Sequence, residues 1–130
     1  MITIYLDALP PSVNGIYQRN YNGQVRLSGA YEKWRSVEGW NVKLQIKPGS
    51  GFDVEVAVAI LFRRPAKSRD LDNMLKPIGD LLQSLQVIRN DRQISRWEVE
   101  WSDNIPDGRN AVIMIMPIVI VDRSGLARAL

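Results

Sequence analysis

A chain of 130 residues with 45% hydrophobic content fits one compact domain with a real core. It contains no cysteine and no histidine, which excludes disulfides, thiolate nucleophiles, Cys- or His-ligated metals, Ser-His-Asp triads and any nuclease design in which histidine activates water. Any acid–base or metal chemistry must come from Asp, Glu, Lys or Tyr, on a chain of net charge +3, and oxygen-only ligand sets suit hard cations, chiefly magnesium or manganese.

Residues 2–7 alternate Ile2, Ile4 and Leu6 against Thr3, Tyr5 and Asp7, the pattern of a half-buried strand. Pro10-Pro11-Ser12-Val13-Asn14-Gly15 breaks it as a loop. Tyr17 to Leu27 reads as a loop or irregular hairpin turning at Asn22-Gly23. Ser28 is a plausible N-cap for a helix over 29–46, with Ala30, Trp34, Val37, Trp40 and Leu44 as its apolar stripe. Pro48-Gly49-Ser50-Gly51 ends that helix, and Phe52 to Phe62 alternates as the clearest strand. A second helix is expected over 71–86, from Leu71, Met74, Leu75, Ile78, Leu81, Leu82 and Leu85, with Pro77 in or just after its first turn. Residues 93–102 alternate as a strand. Ala111 to Val121 is an apolar run, expected as a buried strand that is either central or facing a partner chain. Asp122 to Leu130 reads as a tail. The order β-α-β-α-β-β gives an α/β (α+β) domain over 1–121, one mixed sheet with two helices packed on it. The chain shows no stretch long and apolar enough to span a membrane and no signal peptide, so a cytoplasmic location is expected.

Charge is unevenly placed. Arg63, Arg64, Lys67, Arg69, Lys76, Arg89, Arg92 and Arg96 fall in one window whose only acids are Asp70, Asp72, Asp80 and Asp91. A basic surface attracts phosphates, and carboxylates embedded in it repel them unless a cation intervenes. Asp70 and Asp72 share a side only if the chain is extended there, since a regular helix would turn them apart by about 200°. A metal-dependent nuclease site therefore requires Asp70 to precede the helix and Asp91 to return to its N-terminal end. Asp70, Asp72 and Asp91 would hold the metal, and Lys76, four residues after Asp72, would neutralise charge on the transition state or orient the water. Arg63, Arg64, Arg69 and Arg92 would hold flanking phosphates.

A plainer reading stays open on the same residues. Asp72, Lys76 and Asp80 at four-residue spacing also describe a salt-bridged helix face, and Asp near a helix start is favoured by capping and the helix dipole. Tyr17, Arg19 and Tyr21 suit stacking on bases or packing in a loop alike, and the four tryptophans suit core or interface.

The longer run Arg69-Asp70-Leu71-Asp72-Asn73-x-x-Lys76-x-x-x-Asp80, then Asn90-Asp91-x-Gln93-Ile94, resembles the RusA Holliday junction resolvase family, and Pro10-Pro11-Ser12-x-Asn14 is similar to that family's N-terminal loop. The resemblance implies a homodimeric, magnesium-dependent endonuclease, phage- or prophage-encoded, that cuts four-way DNA junctions by paired symmetric nicks. It implies catalytic roles for Asp70, Asp72, Asp91 and Lys76 and a supporting one for Asp80. Asn14, Arg19, Arg63, Arg64, Lys67, Arg69, Asn73 and Arg92 are the expected DNA-binding residues. One departure is Asn90, where many members carry an Asp-Asp pair; with the catalytic role on Asp91 the activity is expected to survive, and whether Asn90 lowers metal affinity stays open. Two alternatives remain: a nuclease for other branched or flapped DNA, and a non-catalytic nucleic-acid-binding protein.

Overall fold

The structure is a computed structural model that describes residues 1–12, 16–121 and 127–129. It is the mixed α+β arrangement expected. Strands β1 (Ile2–Leu6), β4 (Val56–Phe62), β5 (Ile94–Trp101) and β6 (Ala111–Pro117) form one sheet in the order β1-β6-β4-β5. β4 and β5 are parallel and the other pairs antiparallel. The unbroken apolar strand β6 is interior, which accounts for its lack of polar alternation. Helices α1 (Gly29–Lys43) and α2 (Leu75–Ser84) both cover the sheet face carrying Ile4, Leu6, Val58, Ile60, Phe62 and Ile113, all buried. β2 (Tyr17–Arg19) and β3 (Val25–Leu27) make the hairpin anticipated around Asn22-Gly23, with Gly23 at φ +87°.

Four expectations shift. Helix α1 buries Tyr31, Trp34, Glu38 and Val42, not the stripe of Val37, Trp40 and Leu44, which is exposed. The cause is polar. The buried Glu38 Oε1 accepts from the backbone N–H of Asp7 and Ala8, and Trp34 Nε1 donates to Ala8 O, which together set the helix rotation. Next, the strand expected from Phe52 begins at Val56. Phe52 instead forms a parallel bridge with Ile88 beyond the end of α2. Third, a 3-10 turn over Leu71–Met74 precedes α2, so the expected continuous 71–86 helix is split. The split puts Pro77 in the first turn of α2, where its missing N–H has no intrahelical partner to lose. Finally, the last apolar run breaks at Pro117. Ile118 donates to Glu55 O, and β7 (Val119–Val121) pairs with β8 (Ala127–Ala129), within the segment read as a tail.

Two local devices hold the frame. Gln45 covers the open edge of β1 by accepting from Tyr5 N at 2.7 Å and donating to Tyr5 O at 2.8 Å. At the end of α2, Val87 N bonds Leu82 O and Gln86 N bonds Gln83 O, the Schellman closure, with Gln86 in the left-handed region at φ 59°. A side chain there costs about 1 kcal/mol, so Gln86→Gly should raise unfolding stability by about that amount in urea titrations. An unchanged or lowered midpoint would contradict it.

Candidate active site

The site is built along α2, from the turn that precedes it to the loop that returns beside Gly79 and Gln83. Asp70 has extended backbone, φ −89° and ψ 131°, immediately before the 3-10 turn that holds Asp72, so the chain is extended at Asp70 but not through Asp72 as the sequence reading required. Its side chain makes no capping bond to that turn. Among the described residues it accepts only a long bond of 3.4 Å from Asn73 Nδ2, so the Asn73 amide faces Asp70. The buried Met74 pins the turn to the core. Asp72 and Asp91 are exposed, and none of the three carboxylates has an ion-pair partner among the described residues. The salt-bridged helix face is thus only half formed. Lys76 leans toward Asp80 Oδ2 at 3.8 Å, leaving Asp72 out.

Asp91 opens a second 3-10 turn, Asp91–Gln93, capped by Asn90, whose Oδ1 accepts from Arg92 N at 2.9 Å. Asparagine and aspartate cap equally well, so Asn90 does here what an aspartate would. Gln93 completes the capping box and fixes the loop. Its Oε1 accepts from Arg89 N at 2.6 Å and Asn90 N at 3.1 Å, while its Nε2 donates to Phe52 O and Val54 O, both at 2.9 Å. Asp91 N donates to Gln83 Oε1 at 3.1 Å. A Cβ built on Gly79 would lie 3.8 Å from Asp91 Cβ and 4.0 Å from the Trp97 ring. Asp91 therefore docks beside the second and third turns of α2, not at its N-terminal tip. Partly for that reason, no three acidic side chains among the described residues gather tightly enough to enclose an ion by themselves.

On the α1 side, Tyr31 is buried and its hydroxyl donates to Asp80 Oδ2 at 3.2 Å, so one carboxylate oxygen faces both Tyr31 and Lys76. Burial, then the Asp80 charge, then the hydrogen bond to it push the Tyr31 hydroxyl up to about 12, with Arg35 opposing. A raised folded-state value means the protonated phenol contributes stability that is fully present below the ordinary value of about 10 and lost as pH rises toward 12. Tyr31→Phe should flatten the alkaline limb of the stability profile and loosen Lys76. A Phe variant that keeps the wild-type alkaline fall would contradict this.

The expected cations divide by employment. Arg63 is committed to structure, donating to the carbonyls of Arg109, Ile105 and Pro106 across the β5–β6 turn. Arg69 Nη1 donates to Pro10 O, tying the N-terminal loop to the segment that carries Asp70. Arg64 lies over the Trp101 ring, 5.3 Å from its centroid. Arg19, Lys67 and Arg92 are exposed and without ion-pair partners among the described residues. Asn14 lies outside the described residues. Tyr31, Gly79 and Gln93 were not singled out as site residues from the sequence. Only Gln93 had a legible signal, the Asn-x-x-Gln capping spacing.

The donor set fits a hard, hydrated cation. Magnesium characteristically keeps several waters and takes one or two carboxylates plus substrate phosphate, rather than a closed protein cage. Exposed carboxylates without ion-pair partners among the described residues match that habit.

The family model for Endodeoxyribonuclease RusA matches residues 8–116. The Crossover junction endodeoxyribonuclease RusA of Aquifex aeolicus (strain VF5) is 33% identical over 114 residues, covering 87% of this chain and 88% of that protein. The matched span includes both 3-10 turns, α2 and every strand of the main sheet except β1 and the end of β6. With that coverage and identity, the chain belongs to the RusA endodeoxyribonuclease family.

Proposed function

We propose that this chain is a magnesium-dependent endonuclease that resolves four-way DNA junctions by paired symmetric nicks, acting as a homodimer of a single nuclease domain over 1–121. The observation that carries the chemistry is that Asp70 and Asp72, just before α2, and Asp91, in the turn packed beside it, are all exposed and without ion-pair partners among the described residues. Asp70, Asp72 and Asp91 would hold the metal, which supplies Lewis-acid polarisation of the scissile phosphate and a more acidic bound water; manganese has the same preference for oxygen donors. Lys76, steered by Asp80, offsets charge developing on the phosphate oxygens. Lys67, Arg19 and Arg92 hold flanking phosphates, Asn14 is carried with them on the family pattern, and Asn73 and Arg69 act through Asp70 and the N-terminal loop.

A two-fold dimer suits a junction with approximate two-fold symmetry, because it presents identical sites to opposed strands. The sheet face away from the helices supports that assembly. Its rows run Thr3, Met114, Ala59, Glu98 and Tyr5, Val112, Leu61, Glu100, an apolar centre with a polar rim. Among the described residues no helix is long and apolar enough to cross a membrane.

The test is nicking of a four-way junction, a flapped duplex and a linear duplex of the same sequence, with magnesium. Junction cutting at symmetric positions, at least about tenfold faster than either control, is expected. Equal rates on linear duplex would refute junction resolution, and preference for the flap would reassign the substrate.

A further inference from the structure

We infer that a groove along α1, leading away from Lys76, binds an unstacked DNA strand through base stacking on Tyr17 and Trp40. Two concavities make it. One, of about 380 Å³, lies between the β2–β3 hairpin and α2 and is lined by Tyr17, Tyr31, Arg35, Lys76 and Asp80. The other, of about 460 Å³, continues along α1 past Arg35, Trp40 and Lys43. Leu27, Arg35 and Ser84 line both, so the two are contiguous.

The chemistry alternates aromatic faces with cations. Tyr17 is 53% and Trp40 67% exposed, although both are large side chains that the core could have taken. The Lys43 ammonium sits 5.2 Å from the Trp40 centroid, Arg35 separates the two aromatics, and Lys76 closes the catalytic end. Exposed aromatics spaced by cations form a platform for single-stranded nucleic acid, since every base has a π-face and every linkage a phosphate. Against the cations stand Asp80, already engaged by Tyr31 and Lys76, and Glu32.

The inference rests on the nuclease reading only for which DNA delivers the strand, so its test uses no cleavage. A fluorescein-labelled 12-residue oligothymidylate is titrated in EDTA into wild type, Tyr17→Ala and the Trp40→Ala/Arg35→Ala double variant, each checked for folding by circular dichroism. The variants change exposed positions. Binding weaker by about tenfold for each aromatic removed is expected, together with loss of binding-induced tryptophan quenching in the double variant. Unchanged oligothymidylate affinity in both variants overturns the groove. So does a double variant that binds DNA normally but falls from dimer to monomer in sedimentation, which would assign the exposed Val37, Trp40 and Leu44 stripe to a second copy. Junction cutting by wild type, measured separately, tests the nuclease reading. Oligothymidylate binding lost in the variants while wild type cuts nothing would keep the groove and discard the nuclease.

Discussion

Asp72→Asn should lower junction nicking by about 10²–10³-fold or more, while junction binding without magnesium stays equal or tightens. The two halves of that result have one cause. Asp72 is exposed in the first turn after Asp70, makes no cap and has no ion-pair partner among the described residues, so little of the fold depends on its charge. Asparagine keeps the shape and removes the charge that a hard cation needs, and it also removes a negative group from a surface meant to approach phosphates. The same exchange at Asp107, exposed in the β5–β6 turn, should leave cutting unchanged. Wild-type rates in the Asp72 variant would return Asp72 to the role of an ordinary helix-start residue.

Gln93→Ala should cost about 2–4 kcal/mol of stability, estimated from the four backbone bonds its amide makes at about 1 kcal/mol each. It should also depress junction cutting under conditions where the variant is still folded, because the loop presenting Asp91 would lose its clamp to Phe52 and Val54. Urea unfolding gives the first quantity, and single-turnover nicking at low temperature the second. Gln93→Glu separates the roles, since its carboxylate can still accept from Arg89 and Asn90 but cannot donate to the two carbonyls. A Glu variant as stable and as active as wild type would show that the strand-side contacts do not position Asp91.

Much of the frame was legible in the residues. β1 declares itself by alternation because one of its faces is buried under the helices, and β4 and β6 by unbroken apolarity because both are interior. Rotation of α1 was not legible. Apolar counting favours Val37, Trp40 and Leu44, whereas two backbone N–H groups at Asp7 and Ala8 recruit Glu38 to the interior, and no periodicity encodes a partner 30 residues away. Ile94 shows the same limit. Strict alternation sets it opposite Trp97, but the β4–β5 register pairs Val56 with Ile94 and Ala57 with Arg96, and that slip at Ser95 lets both pack on the core side. Within the site, the start of the helical stretch just after Asp70 was legible, but the 3-10 turn that holds Asp72 was not, because Leu71 to Leu85 reads as one continuous helix. The seat of Asp91 depends on Gly79, Gln83 and Trp97, three residues whose types suggest helix or core and nothing more. The bonds of Arg63 to three carbonyls were not legible, because a guanidinium in a basic run looks the same whether it faces phosphate or backbone oxygens.

Asp72 and Asp91 meet α2 at different heights, one just before it and one beside Gly79 and Gln83. Each residue added to or removed from that helix would rotate one carboxylate by about 100° and shift it by about 1.5 Å relative to the other. The exposed positions between Asp72 and Asp91 that carry no site role should therefore tolerate substitution, while no change in the length of that span should be tolerated; the Asn20–Gln24 turn of the hairpin, which spaces nothing in the carboxylate trio, is free to grow or shrink. Single-residue insertions scanned along the chain would reveal that contrast as a silent zone in activity running from 72 to 91.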